Sequence, residues 1–358
     1  MELSVSKVTG WIYLLTILPR ITHFTRVDTI KPLMRPVGLF FGLLTIMNVL
    51  NSSEANAAFF DASLFQNIFL FWFLINHERK EPLVLEKGMI CFALGSVALA
   101  LLFKAGIGID YDVGRVRIFG DNSNGIGLRM SISMAILVLA VVQNKIKFGR
   151  LRYLLLIPLP LMLQLLFESG SRVALIAFVL AFVTGVVLLK TKRPFGKVAA
   201  LLISVVVFFY GWQVMMESEL LVNRLLESYY EGNMSGREII WPTLLPLIES
   251  NPLFGVGQTG YVAYSEEAMG YLVSPHNVFL EVLCYTGSVG LIIYLIFLYR
   301  VSKRGYGSYK TEGLLLPLLL LFPVCGVLFS GQILVSKIGW CILAYITGSS
   351  VVNREDQT

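Results

Sequence analysis

Runs of apolar residues about as long as a bilayer-spanning helix, roughly 20 residues, alternate along the chain with short charged or Gly/Pro/Asn-rich breaks. Dividing the chain at those breaks predicts helical spans at roughly 37–52, 60–76, 88–104, 125–144, 153–167, 173–189, 198–216, 277–299, 313–329 and 332–348, with 8–19 a short eleventh. The pattern predicts an all-α, polytopic integral membrane protein of about 10–11 transmembrane helices, forming a single transmembrane domain over residues 1–358. Trp11 to Leu18 is followed by Pro19 and Arg20, which is not a signal-peptide cleavage pattern, so this first run is expected to stay in the protein.

Composition moves the reading further from soluble proteins. Of 358 residues 56% are hydrophobic and 15% charged, where a soluble domain has about 25% charged. The formal net charge of +6 would suggest nucleic acid in a soluble chain, but here its distribution matters more and no nucleic-acid partner is expected. Under strict alternation of the spans, one side carries 20 Lys and Arg with 7 acids, and the other 9 basic residues with 16 acids. By the positive-inside rule the first side is cytoplasmic and includes the C-terminus. The segments expected outside are 51–59, an external loop at 105–124, the tight turn 168–172, and a large loop over 217–276 with room for short helices. Cys91, Cys284, Cys325 and Cys341 all lie in apolar runs, with neither disulfide framework nor zinc spacing.

Basic residues are sparse on the outer side, so those beside its turns stand out. Arg172 follows Glu168-Ser169-Gly170-Ser171, where Ser171 can cap the next helix and set a guanidinium beside its unpaired backbone N–H groups. Ser235-Gly236-Arg237-Glu238 fits a capping box, with Ser235 as cap and Glu238 reaching back, so Arg237 projects from a first helical turn. In Ser274-Pro275-His276-Asn277, Ser274 reads as a cap and Pro275 as the first helical residue, with His276 just inside. His276 alone of the three histidines falls outside, His23 and His77 lying in basic cytoplasmic stretches. Taken singly, each also fits an ordinary role: Arg172 as a snorkelling anchor, Arg237 as a loop residue paired with Glu238 or Glu249, His276 as a hydrogen-bonded interface residue. Gly255 to Gly260 reads as a turn, since it lacks the preceding strand and the lysine of a phosphate loop.

In combination and in order, these pieces resemble the O-antigen ligase/polymerase family of bacterial surface-polysaccharide enzymes. The resemblance rests on Ser169-Gly170-Ser171-Arg172 before an apolar helix; on Ser235-Gly236-Arg237-Glu238 with Trp241 and Asn251-Pro252-Leu253-Phe254-Gly255-Val256-Gly257; and on His276-Asn277, nine residues, then Gly287-Ser288-Val289-Gly290. A looser piece, Arg117 to Gly120 with Asp121-Asn122-Ser123-Asn124, resembles the family's external segment, although the family usually has Pro where Ser123 stands. The resemblance covers about residues 115 to 300. It implies a GT-C-like glycosyltransferase of the bacterial inner membrane, acting on undecaprenyl-diphosphate-linked glycans at the periplasmic side with no metal or cofactor. By motif position it implies Arg172, Arg237 and His276 as catalytic residues, and Ser171, Asn277, Arg117, Asn124 and Glu238 as substrate-binding.

The implied chemistry suits these residue types. Two guanidiniums can hold a diphosphate bidentately as charge builds on the departing oxygen, and a histidine can accept the proton of an incoming sugar hydroxyl. The H-N-x9-G-x-x-G match points to a ligase with lipid A-core as acceptor; the alternative is a polymerase whose acceptor is another lipid-linked repeat. Outside the class, a transporter or flippase would place ionisable residues at mid-membrane, whereas here the spans hold little charge besides Arg129, Glu281 and Asp61.

Overall fold

The computed structural model describes residues 5–24, 30–52, 63–112, 114–143, 145–189, 236–330 and 336–349 without interruption, together with scattered positions between 209 and 230 and residue 334. Among the described residues the elements are α1 (Val5–Ile17), α2 (Lys31–Leu50), α3 (Ser63–Lys80), α4 (Val84–Lys104), β1 (Ile109–Asp112), β2 (Arg115–Ile118), α5 (Ser123–Gln143), α6 (Leu159–Glu168), α7 (Arg172–Leu188), α8 (Arg237–Ser250), α9 (Gly257–Met269), α10 (Val278–Glu312), α11 (Leu321–Ser330) and α12 (Lys337–Gly348), with shorter helical turns between some of them. Among the described residues, five stretches are long and apolar enough to cross a membrane: Lys31–Leu50, Val84–Lys104, Ser123–Gln143, Gly149–Glu168 and Val278–Glu312. Helices dominate because a segment in lipid must satisfy its backbone polar groups within itself. The all-α, polytopic class expected from the sequence therefore holds.

The elements depart from the expected spans where chemistry other than hydropathy sets a boundary. The stretch expected at 153–167 is divided: Gly149–Leu156 is a 3-10 helix, and the α-helix begins only after Pro158, whose fixed φ suits a helix start. The span expected to end at 299 continues through Arg300, Lys303 and Arg304 to Glu312, since a charged boundary ends lipid contact without ending the helix. The last helix starts at Lys337, where Ser336 Oγ accepts from Gly339 N at 3.2 Å. The span expected at 198–216 lies outside the continuously described residues. Within 105–124 the chain forms an antiparallel hairpin that the all-helical reading did not foresee, pairing Asp110 with Arg117 and Asp112 with Arg115.

The chain divides into two compact units. One comprises residues 83–233 and 305–330. Here α5 packs against α4, α6, α7 and α11, with buried Ile126, Met130, Ile136 and Leu137 turned inward. Ser133 Oγ donates to Ser96 Oγ at 2.8 Å, a buried polar bond joining α4 and α5 where neither hydroxyl can reach water. Ile176, Val179, Leu180, Val183 and Val187 of α7 are exposed, an apolar face suited to lipid.

The other unit comprises residues 1–82, 234–304 and 331–358. In it α3 packs against α1 and α12, and α2 against α9. Phe71, Phe297 and Trp340 form an aromatic cluster with ring centroids 5.6–5.9 Å apart. Asn67 Nδ2 and Trp340 Nε1 both donate to the Leu334 carbonyl, at 3.2 and 2.9 Å.

Candidate active site

In the first unit, the turn carrying Arg172 is built to be rigid. Gly170 adopts φ +59, a conformation side chains oppose, and this reverses the chain between α6 and α7. Ser169 is wholly buried; its hydroxyl donates to the Leu166 carbonyl at 2.6 Å and accepts from Ser171 N at 3.3 Å. Ser171 is the N-cap of α7, as the sequence suggests, its Oγ accepting from Ala174 N at 3.3 Å. Arg172 is thus the first helical residue, half-buried, at the positive end of the helix dipole, which favours anions.

The turn rests on α5. A Cβ added to Gly127 would stand 2.6 Å from Ser169 Oγ and 2.9 Å from Ala174 Cβ, so glycine is what permits this approach. The hairpin reaches the same turn through Arg115, whose Nε donates to the Ser169 carbonyl at 3.1 Å and whose Nη2 donates to Asn124 Oδ1 at 2.7 Å. Asn124 N donates in turn to Asn122 Oδ1 at 2.8 Å, opening α5. Arg117 lies two residues from Arg115, on the same face of β2 and in register with Asp110. Nearby, Arg129 pairs with Asp121, which places this intramembrane arginine in an ion pair near the start of α5.

In the second unit, α8 starts one residue later than its capping-box reading. The N-cap is Gly236, at φ +84, and Ser235 lies outside the described residues. Glu238 does reach back, Oε1 accepting from Gly236 N at 3.1 Å, and Arg237 is the first helical residue. One turn on, on the same side of the helix, Trp241 Nε1 donates to the Pro275 carbonyl at 2.9 Å. This bond ties the helix that begins at Arg237 to the residue immediately before His276.

The segment entering α10 also differs from its sequence reading. The helix begins at Val278, and its cap is Asn277, whose Oδ1 accepts from Phe279 N at 3.0 Å and from Leu280 N at 3.4 Å. Ser274 therefore caps no helix; its Oγ accepts from His276 N at 3.3 Å in a local turn, and Pro275 is not helical. His276 stands outside the helix at φ +49, a left-handed conformation costing roughly 1–3 kcal/mol that persists only where the surroundings enforce it. Those surroundings are a set of tertiary bonds. Tyr261 O–H donates to the Val273 carbonyl at 2.6 Å, and Ser265 Oγ accepts from Val273 N at 3.0 Å while donating to the Tyr271 carbonyl at 3.1 Å. Burial pushes the Tyr261 phenol well up from its ordinary range, which keeps it a protonated donor to Val273.

The glycines of two sequence signatures meet in one joint. Gly287 breaks α10 with φ 62 and ψ −164, and a side chain there would overlap the Leu253 carbonyl. The backbone groups released by the break are paired by the loop 252–256: Ser288 N donates to the Pro252 carbonyl at 2.9 Å, Val289 N to the Leu253 carbonyl at 3.2 Å, and Val256 N to the Cys284 carbonyl at 2.9 Å. Gly255 faces the same break, its added Cβ falling 2.5 Å from the Cys284 carbonyl. Gly257, at φ +71, allows α2 to approach the start of α9, where buried Asn48 Oδ1 accepts from Gln258 N at 2.6 Å and from Thr259 N at 3.3 Å. That helix start is occupied by the Asn48 side chain, and the expected turn at Gly255 to Gly260 is corrected: Gly257 to Gly260 form the first turn of α9.

The roles of Trp241, Arg115 and the Gly255–Gly287 joint emerge only in the folded chain. Arg115 could have been found from the two-residue period it shares with Arg117; the partner of Trp241, 34 residues away, left no local trace.

Residues 157–295 match the family model described as O-antigen ligase. The match covers less than half of the chain and supports a membrane enzyme of the O-antigen ligase or polymerase type. The matched stretch holds Arg172, Arg237, His276 and both glycines of the α10 break, and excludes the hairpin. No curated protein and no solved structure gives a significant match to the chain.

Proposed function

We propose that the protein is an O-antigen ligase of the bacterial inner membrane. It transfers a glycan from undecaprenyl diphosphate to a lipid A-core hydroxyl at the periplasmic side, with inversion and without a metal; residues 105–124 and 217–276 are external and the C-terminus is cytoplasmic. The observation that carries this reading is the Trp241–Pro275 bond, which links the helix bearing Arg237 to His276. His276 accepts the proton of the acceptor hydroxyl as its oxygen bonds to the sugar C1. The bond from C1 to the diphosphate oxygen breaks, and undecaprenyl diphosphate departs with the electron pair. Arg172 and Arg237 bind that diphosphate and stabilise the charge that builds on it.

The residues expected to bind substrate fall into two kinds under this reading. Ser171, Asn277 and Glu238 order the three helix starts, and Arg117 with Asn124 belongs to the region around Arg172. The ligase reading is tested by deleting the gene and resolving surface polysaccharide on a gel. A ligase predicts that every capped form of lipid A-core disappears while carrier-linked polymer accumulates. Loss of long chains with single-repeat caps retained indicates a polymerase, and unchanged polysaccharide overturns both.

A further inference from the structure

We propose that Arg115 is a positioning residue for Arg172, acting through the turn that joins α6 to α7; this rests on the role given to Arg172 above. Arg115 lies outside the stretch matched to the ligase family, and it comes from the β-hairpin. Its guanidinium makes two directed bonds to two different elements. Nε donates to the carbonyl of Ser169, the residue that closes α6, and Nη2 donates to Asn124 at the start of α5.

The first bond places a cation at the carboxyl end of a helix, where the last carbonyls have no intrahelical partner and the helix dipole is negative. Ser169 is fully buried, so its carbonyl has little recourse to water if the guanidinium is withdrawn. Three residues later the chain reaches Arg172. Ser171 is 1% exposed and Gly127 lies hard against the turn, so a shift at Ser169 passes along packed backbone to the first residue of α7. A planar fork can hold both acceptors at fixed angles, which an ammonium on a flexible stem cannot. Arg115 thus sets where the Arg172 guanidinium begins its reach toward the donor.

The test is a double-mutant cycle on the full-length protein in proteoliposomes, with a synthetic polyprenyl-diphosphate glycan as donor. Arg115→Gln is expected to lower kcat by about 10- to 100-fold, with donor KM within about threefold, the scale set by a misplacement of about an ångström. Arg115→Lys is expected to be nearly as impaired. The decisive readout is the pair Arg115→Gln/Arg172→Lys, expected to be no slower than Arg172→Lys alone, because a residue acting only through Arg172 has nothing left to position. Multiplying losses would overturn the proposal, indicating either a general loss of folded enzyme or an independent contact with the donor. Wild-type turnover by Arg115→Lys would overturn it too. Should Arg115→Gln fail to accumulate, Asn124→Ala removes one of the two bonds and is read in the same cycle. An impaired Arg172→Lys beside an unaffected Arg115→Gln sinks the positioning role alone, whereas a fully active Arg172→Lys sinks the assignment of Arg172 and this inference together.

Discussion

Replacing Gly287 by alanine perturbs the joint on which α10 depends. At φ 62 and ψ −164 the backbone lies in a region essentially reserved for glycine, so a Cβ costs roughly 1–3 kcal/mol in local strain alone. The same Cβ overlaps the Leu253 carbonyl, so the loop 252–256 must move away. That movement breaks the bonds from Ser288 N to Pro252 and from Val289 N to Leu253, each contributing about 0.5–1.5 kcal/mol. The total is about 2–6 kcal/mol, which corresponds to a fall of roughly 3–8 °C in the midpoint of thermal unfolding for the purified protein. Gly88→Ala serves as the control: Gly88 lies within α4, a Cβ there meets nothing within 4 Å, and the change is expected to be neutral or to stabilise by up to about 1 kcal/mol. Equal midpoints for Gly287→Ala and wild type would refute the reasoning, since neither the strain nor the displaced loop could then be present.

Further outcomes follow from the same geometry. Trp241→Phe keeps the ring but removes the N–H donated to Pro275, so kcat should fall about 10- to 100-fold with the amount of protein in the membrane unchanged; unchanged kcat would separate His276 from α8. His276→Ala should lose about 10² to 10⁴ in rate, read as radiolabelled glycan transferred per minute, and Arg172→Lys should also be severely impaired because an ammonium cannot match the bidentate geometry. Chelator added to the purified enzyme should leave activity intact, and a loss restored by Mg²⁺ would contradict the metal-free mechanism.

The membrane-spanning elements were legible because lipid imposes a single demand, an unbroken apolar run long enough to satisfy its own backbone. The Ser171 cap was legible for a similar reason, since a cap and its partner lie within four residues. The other helix starts were misplaced by residues that could each have served. Ser274 with Pro275 is as good a local start as Asn277, and what decides between them is distant: Ser265, Tyr261 and Trp241 hold 271–275 in non-helical bonds. At α8 the glycine after Ser235 takes the cap because it alone tolerates φ +84. The hairpin did leave a signal, the alternation of Ile109 and Tyr111 with Val116 and Ile118 across a Gly114 turn, but it was outweighed by the helical periodicity of its neighbours. The break at Gly287 left none, since glycine within an apolar run is compatible with an unbroken helix until a loop from elsewhere is seen to dock on it.

The central claim is glycosyl transfer from a lipid-linked diphosphate donor. It is tested most directly by reconstituting the purified protein with an undecaprenyl-diphosphate-linked oligosaccharide and a lipid A-core acceptor, then following both products together. The expected result is one undecaprenyl diphosphate released for each glycan transferred, with the anomeric configuration at the new linkage inverted and both products lost in His276→Ala. Transfer with retained configuration, or movement of the donor across the bilayer with no transfer, would contradict it.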